Sequence, residues 1–425
     1  MDIGKKSSVC KKMKWIVLSS AVWGLLAHGM ALFNKYSYHD DASLFLIGET
    51  CALGRWMLGF LGEWMKRITG STYYSTPLFK GVVTIFCIAL IVFCVSDLLE
   101  IENMLLNIGL TGIFIAFPVI TGMLGYGFTA PYYLFGTLMG VYGGYLLCRH
   151  RRWYFYIFGI LLMACSVGVY QANIPVCISL LLIYLIKSVA ESEESDWKKY
   201  ICRLIYFAGA CIGFVLVYIM INQIVLSYKK IELLDYQGIQ SYGQTSVRGY
   251  LDRIVLAYRE FLRPTDKVWR NMFPFSLDRF YQMGVVAGAV LTICLMTERF
   301  RKGISCGIQL MFLVFFVPLA GNFIYVISEV EQIHSLMMYG QVFLFAYFVW
   351  ITDFVKWPIQ KARRQFLNCV AVLLLVMSLL YSRFDNICYL KAEYLQSQIK
   401  SYFTTLVTQI KRSGGVYGRD PCCLY

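Results

Sequence analysis

The sequence predicts an all-α polytopic membrane protein, and three observations predict it. The first is composition: of 425 residues, 58% are hydrophobic and 16% aromatic, mean hydropathy is +0.60, and only 15% carry charge. Ordinary soluble domains carry about a quarter. The second is the recurrence of apolar windows long enough to cross a bilayer core. The third is the distribution of Lys and Arg, which alternates with those windows. Together these exclude a soluble enzyme, a disordered chain and a secreted disulfide scaffold. A net charge of +14 does not mark a nucleic-acid binder here. In a polytopic protein such a surplus belongs to short loops and lipid headgroups.

The expected spans are eleven: 15–34, 79–97, 104–120, 130–148, 153–170, 174–188, 201–222, 281–297, 304–327, 336–353 and 366–382. The first reads as an anchor rather than a cleaved signal peptide, because it lacks a small-residue cleavage site and runs directly into His39-Asp40-Asp41. Five lysines precede it, from Lys5 to Lys14. Basic residues then recur at Arg149–Arg152, Lys187–Arg203, Arg299–Lys302 and Lys356–Arg364, whereas loops 121–129, 171–173 and 328–335 hold none. That asymmetry puts the N-terminus inside and, with eleven spans, the C-terminus outside. The organisation is then a basic tail, 1–14, a single membrane bundle, 15–382, with outer loops 35–78 and 223–280, and an outer tail, 383–425.

All three long polar stretches therefore fall on the outer face. No inner segment is long enough for a nucleotide-binding domain, and no G-x-x-x-x-G-K-[ST] occurs. The chemistry is expected outside the cytosol, without ATP. The fifteen cysteines lie mostly in apolar runs with no C-x-x-C pair, and the four histidines are far apart in sequence. A zinc site is not expected.

Two outer segments are amphipathic. Across 49–68, Leu53, Trp56, Met57, Phe60, Leu61, Trp64, Met65 and Ile68 recur at i, i+3, i+4, with Glu63, Lys66 and Arg67 opposite. Across 248–262, Leu251, Ile254, Val255, Tyr258, Phe261 and Leu262 oppose Asp252, Arg253, Arg259 and Glu260, and Pro264 follows. Helices of this kind, too charged to span, lie in the headgroup plane. They would either form a shelf for a lipid-borne substrate or simply anchor their loops.

The adjacent carboxylates Asp40 and Asp41 stand at the outer mouth of the first span. A carboxylate in a partly desolvated cleft can act as a general base, and a pair can ligate a cation or merely cap a solvated loop. Gly54-Arg55-Trp56 sets a guanidinium beside an interfacial aromatic. Arginine there suits a lipid phosphate, which it grips bidentately, or ordinary headgroup anchoring.

This order of features, a first span, then His39-Asp40-Asp41, then Gly54-Arg55-Trp56 in an amphipathic segment, resembles the GtrII family of glucosyltransferases. A second block, Ser166-Val167-Gly168-Val169-Tyr170-Gln171-Ala172, resembles that family's S-x-G-x-Y-Q signature, and the likeness covers roughly residues 15–355. The resemblance implies a GT-C type bundle in a bacterial cytoplasmic membrane, with its active site on the outer face. It implies a polyprenyl-phosphate sugar donor, here undecaprenyl phosphate, and a surface polysaccharide such as O-antigen, or a glycolipid, as acceptor. Asp40 or Asp41 would be the base, and displacement would invert the anomeric centre. Arg55 would neutralise the leaving phosphate, Tyr170 and Gln171 would line the pocket with Trp56, and His39 would orient a carboxylate or share in the chemistry. By the same analogy a carrier-charging glycosyltransferase and a flippase are the functional partners.

Two physical points agree with this. A lipid-phosphate sugar is already activated, so no nucleotide site is required, and cations stabilise its leaving group. Arg263, directly before Pro264, is the candidate second phosphate contact in loop 223–280. No cofactor is expected, and two adjacent aspartates without a third oxygen ligand nearby make an incomplete Mg²⁺ or Mn²⁺ site. Competing readings are a flippase or secondary transporter, for which the chain lacks visible internal repeats, a polysaccharide polymerase or ligase using the same carrier, and a non-catalytic scaffold.

Overall fold

The computed structural model describes residues 3–34, 47–70, 76–150, 152–192, 196–234, 246–262, 275–328, 333–355 and 359–412. The helices are α1 (Ile3–Phe33), α2 (Ile47–Ala52), α3 (Trp56–Thr69), α4 (Pro77–Leu98), α5 (Met104–Ala116) and α6 (Pro118–Leu124). Next come α7 (Ala130–Arg149), α8 (Trp153–Val169), α9 (Ile174–Glu191), α10 (Trp197–Lys229) and α11 (Val247–Leu262). The chain continues through α12 (Phe275–Lys302), α13 (Ile304–Phe315), α14 (Val317–Gly321), α15 (Ile324–Ile327), α16 (Phe343–Phe354) and α17 (Gln360–Arg412). Short 3₁₀ turns occupy Gln171–Asn173, Ser335–Met337 and Tyr339–Val342, and no strand occurs among the described residues.

Helix occupies each of the eleven expected windows. By length and apolarity, seven described helices can cross a bilayer, or eight when α5 and α6, bent 43° to each other, count as one span. The windows that fall short alone are those of α7, α8 and α16. α16 is buried along its length, and α7 and α8 pack closely on each other. Small residues make that packing close: Gly143 of α7 and Gly159 of α8 meet backbone to backbone, so that a Cβ on Gly143 would lie 2.6 Å from the Gly159 carbonyl.

The break between α5 and α6 follows from Pro118, which has no N–H for the carbonyl of Phe114. Two side chains replace the lost donors. Tyr339 Oη donates to the Phe114 carbonyl at 3.2 Å, and His28 Nε2 lies 2.9 Å from the Ile115 carbonyl. His28 Nδ1 in turn meets Tyr389 Oη at 2.9 Å, and Thr121 of α6 donates to the buried Asp385 at 2.6 Å. Broken helices are tolerated at membrane depth only when freed backbone groups find such partners.

The face at which α1 ends and α4 begins is here called the upper face. At the opposite, lower face, ion pairs tie corners together: Glu100 meets Arg149 and Lys187, and Asp353 meets Arg363 while accepting from the Glu102 backbone N–H. Basic residues counted in the sequence thus serve as corner ties.

Two elements differ from the expected map. The amphipathic segment 49–68 is not one helix but α2 and α3, parted at Leu53–Arg55. The helix of the last expected span continues past 382: α17 runs unbroken from Gln360 to Arg412, about 80 Å at 1.5 Å per residue. The second amphipathic segment forms α11 as expected, and its apolar stripe is divided: Leu251, Val255 and Leu262 are exposed, while Phe261 is buried together with Ala257 and Glu260.

Candidate functional site

The site is built from a helix ending. Gly54 adopts φ +71°, and its N–H bonds the Cys51 carbonyl at 2.9 Å while the Arg55 N–H bonds that of Thr50 at 2.9 Å. That pair is a Schellman stop, which favours glycine at the left-handed position. The stop makes Arg55 the N-cap of α3. Its side chain turns inward and is only 6% exposed.

Two tyrosines hold the guanidinium. Arg55 Nη1 donates to Tyr133 Oη at 3.3 Å, and Cζ lies 5.0 Å from the centre of the Tyr170 ring. Tyr170 itself stacks on Tyr133 with ring centres 4.6 Å apart. A cation over an aromatic face contributes roughly 0.5–2 kcal/mol, more as water is excluded. Tyr170 can reach this position because its extended backbone ends α8. Asn173 braces the turn, donating to the Ser166 carbonyl at 3.1 Å and accepting from Thr137 at 2.9 Å.

The remaining motif residues form the cradle of this arginine. Gln171 Nε2 donates to the Leu53 carbonyl at 2.8 Å, and Tyr218 Oη donates to the Gly54 carbonyl at 3.1 Å. A Cβ on Gly168 would lie 2.5 Å from the Trp56 ring, so the indole rests directly on that backbone. Gln171 and Trp56 therefore position Arg55, where the sequence placed them in the substrate pocket. Tyr218 and Asn173 were missed. Tyr218 looks like an incidental polar residue in an apolar window, and Asn173 sits in the loop just past the signature block.

Arg55, Trp56, Tyr170 and Gln171 are thus brought together at the upper face. His39, Asp40, Asp41 and Arg263 lie outside the described residues. Asp40 follows the described end of α1, Asn34, by six residues.

Gly54→Ala tests the cradle. The added Cβ would lie 2.8 Å from Tyr218 Oη and 2.9 Å from Gln171 Nε2, at a φ that costs an L-residue about 1–2 kcal/mol. We expect a small drop in thermal unfolding temperature and a much larger loss of activity, because the arginine's N-cap shifts while the bundle stays intact. Equal losses in both would mean the turn matters only for folding.

Fold and site define the class: an all-α polytopic membrane protein whose first amphipathic segment delivers one buried cation to an aromatic seat at the upper face. The family model described as Glucosyl transferase GtrII matches residues 29–345. The chain belongs to that family. No curated protein and no solved structure matches the chain. The matched region takes in both motif blocks and the end of α1, and leaves out α17.

Proposed function

We propose that the protein moves a glucosyl group from a polyprenyl-phosphate carrier to a surface polysaccharide or glycolipid, with inversion. The reaction would take place at the upper face, on the extracytoplasmic side of a bacterial cytoplasmic membrane, with the N-terminus inside and the C-terminus outside. The observation that carries this reading is the buried Arg55, seated on Tyr170 and held by both motif blocks of a glucosyl transferase family.

In the reaction, the acceptor oxygen attacks the anomeric carbon and loses its proton to a carboxylate. The bond from that carbon to the phosphate oxygen breaks, and its electron pair leaves with the phosphate. Negative charge grows on the phosphate as the bond opens, which is where a fixed guanidinium acts. Asp40 or Asp41 serves as base, with His39 beside them. A preorganised arginine is favoured over a mobile lysine here, because its planar fork matches two phosphate oxygens. The sugar-phosphate bond supplies the driving force, so the chain needs neither nucleotide nor cofactor. A carrier-charging enzyme and a flippase would supply the donor.

Purified protein in lipid, given polyprenyl-phosphate bearing radiolabelled glucose and surface glycan from a strain lacking the gene, tests this directly. Label should pass to the glycan, at the same rate with EDTA present. No transfer from any polyprenyl-phosphate hexose would sink the proposal, and loss with EDTA would bring a metal into it.

A further inference from the structure

One ionisable group inside the bundle has no part in the site. Asp385 of α17 is 0% exposed and lies outside the region that the glucosyl transferase family model matches. Its Oδ1 accepts from Thr121 of α6 at 2.6 Å, and its Oδ2 has no hydrogen-bond partner.

No cation faces it among the described residues. α17 packs on α5, α1 and α6, and more lightly on α12 and α16. Neither α5 nor α6 holds a titratable side chain. Toward the same end of the bundle α1 brings His28, which is held by the Ile115 carbonyl and Tyr389. α12 brings Tyr281, which donates to the Phe261 carbonyl, and α16 brings Tyr347, bonded to Thr292. On α17 itself Tyr381, Arg383, Cys388 and Tyr389 are the neighbours in sequence, and Arg383 is exposed.

The place of this carboxyl in the fold is specific. Residues on two successive turns tie α17 to the surroundings of the α5–α6 break: Asn386 donates to the Leu26 carbonyl of α1 at 2.8 Å, Tyr389 meets His28, and Asp385 reaches α6. An ionised carboxylate taken out of water is tolerated when a cation or several donors hold it, and one hydroxyl is neither. A neutral acid costs far less, and Thr121 can still donate to its carbonyl oxygen. Ionisable side chains inside a membrane bundle are where function is expected first.

We propose that Asp385 is a proton-binding site that latches α6 to α17, with the structure showing the proton-bound form. The hydrogen resides on Oδ2. When it leaves to water, the charge left behind is unpaired and buried, and α6, already parted from α5 by Pro118, is the element that gives way. The latched form binds a proton that the released form does not, so the latch is strongest at low pH and weakens as pH rises, by up to about tenfold per pH unit. The device does not depend on the proposed reaction.

The test uses full-length protein in nanodiscs, as wild type, Asp385→Asn and Asp385→Ala. Asparagine keeps the shape and the acceptor for Thr121 but cannot ionise, and alanine removes the acceptor. At neutral pH the infrared difference between wild type and Asp385→Asn should contain the carbonyl stretch of a neutral carboxylic acid, shifted in D₂O. Hydrogen exchange of residues 119–124 should be alike in these two proteins at mildly acidic pH and about tenfold or more faster in wild type at alkaline pH. Asp385→Ala should exchange faster than Asp385→Asn throughout.

Absence of the neutral-acid band overturns the proton. A band that is present while α6 exchanges equally in wild type and Asp385→Asn at alkaline pH overturns the latch. Should Asp385→Asn not fold, wild type carries the test alone: the band must vanish over the pH range in which exchange of α6, corrected for intrinsic rates, accelerates. Either change without the other overturns the proposal.

Discussion

Arg55→Met should lower kcat/KM for label transfer by about 10²- to 10³-fold, the usual loss when one donor to a developing oxyanion is removed. The size of the effect follows from burial. At 6% exposure, seated on one tyrosine and bonded to another, the guanidinium is fixed before substrate arrives. In the proposed reaction it would therefore meet the growing phosphate charge without rearrangement. Methionine fills similar volume and keeps the contact with Tyr170 without the charge. Arg55→Lys keeps the charge but shortens the reach and gives up the fork, and an intermediate loss is expected. Purification behaviour and thermal unfolding of Arg55→Met should stay close to wild type. A variant that folds and transfers normally would remove Arg55 from the mechanism and leave it a structural cap.

The two motif blocks were legible in the sequence, but their relation was not. Gly54-Arg55-Trp56 and Ser166 to Gln171 lie more than 100 residues apart. Only the fold shows Gln171 holding the Leu53 carbonyl and Gly168 making room for Trp56. Read separately, each aromatic and amide looks like a pocket wall. Placed together, most of them serve to aim one arginine. The partner residue on α10, Tyr218, carries no local signal, since a tyrosine in an apolar window reads as core.

Other misreadings had a signal that went unused. Gly54 followed a short polar-apolar run and could have been read as a helix stop, which would have split 49–68 at the observed place. Between Gln360 and Arg412 there is neither proline nor glycine. The expected end at 382 came from hydropathy alone, as Arg383 and Asp385 closed the apolar window. Backbone propensity does not end where apolarity does, and α17 continues. Pro118, inside the expected third span, kinks it. What the sequence could not supply were the groups that make the kink tolerable, His28 and Tyr339, which lie far before and far after it in the chain.

Asp40→Asn and Asp41→Asn should separate the base from its neighbour. Asparagine keeps the shape and one carbonyl oxygen but cannot take a proton at neutral pH. General-base catalysis contributes about 10²- to 10⁴-fold, so one variant should lose that much in kcat with KM for the lipid donor nearly unchanged, and the other should lose far less. The dependence on pH has a definite sign. A base must be ionised to accept the acceptor's proton, so wild-type kcat/KM should fall as pH is lowered through its pKa. The residual rate of the base-lacking variant should be flat over the same range. If both asparagine variants turn over like wild type, the proton goes elsewhere and the base is neither Asp40 nor Asp41.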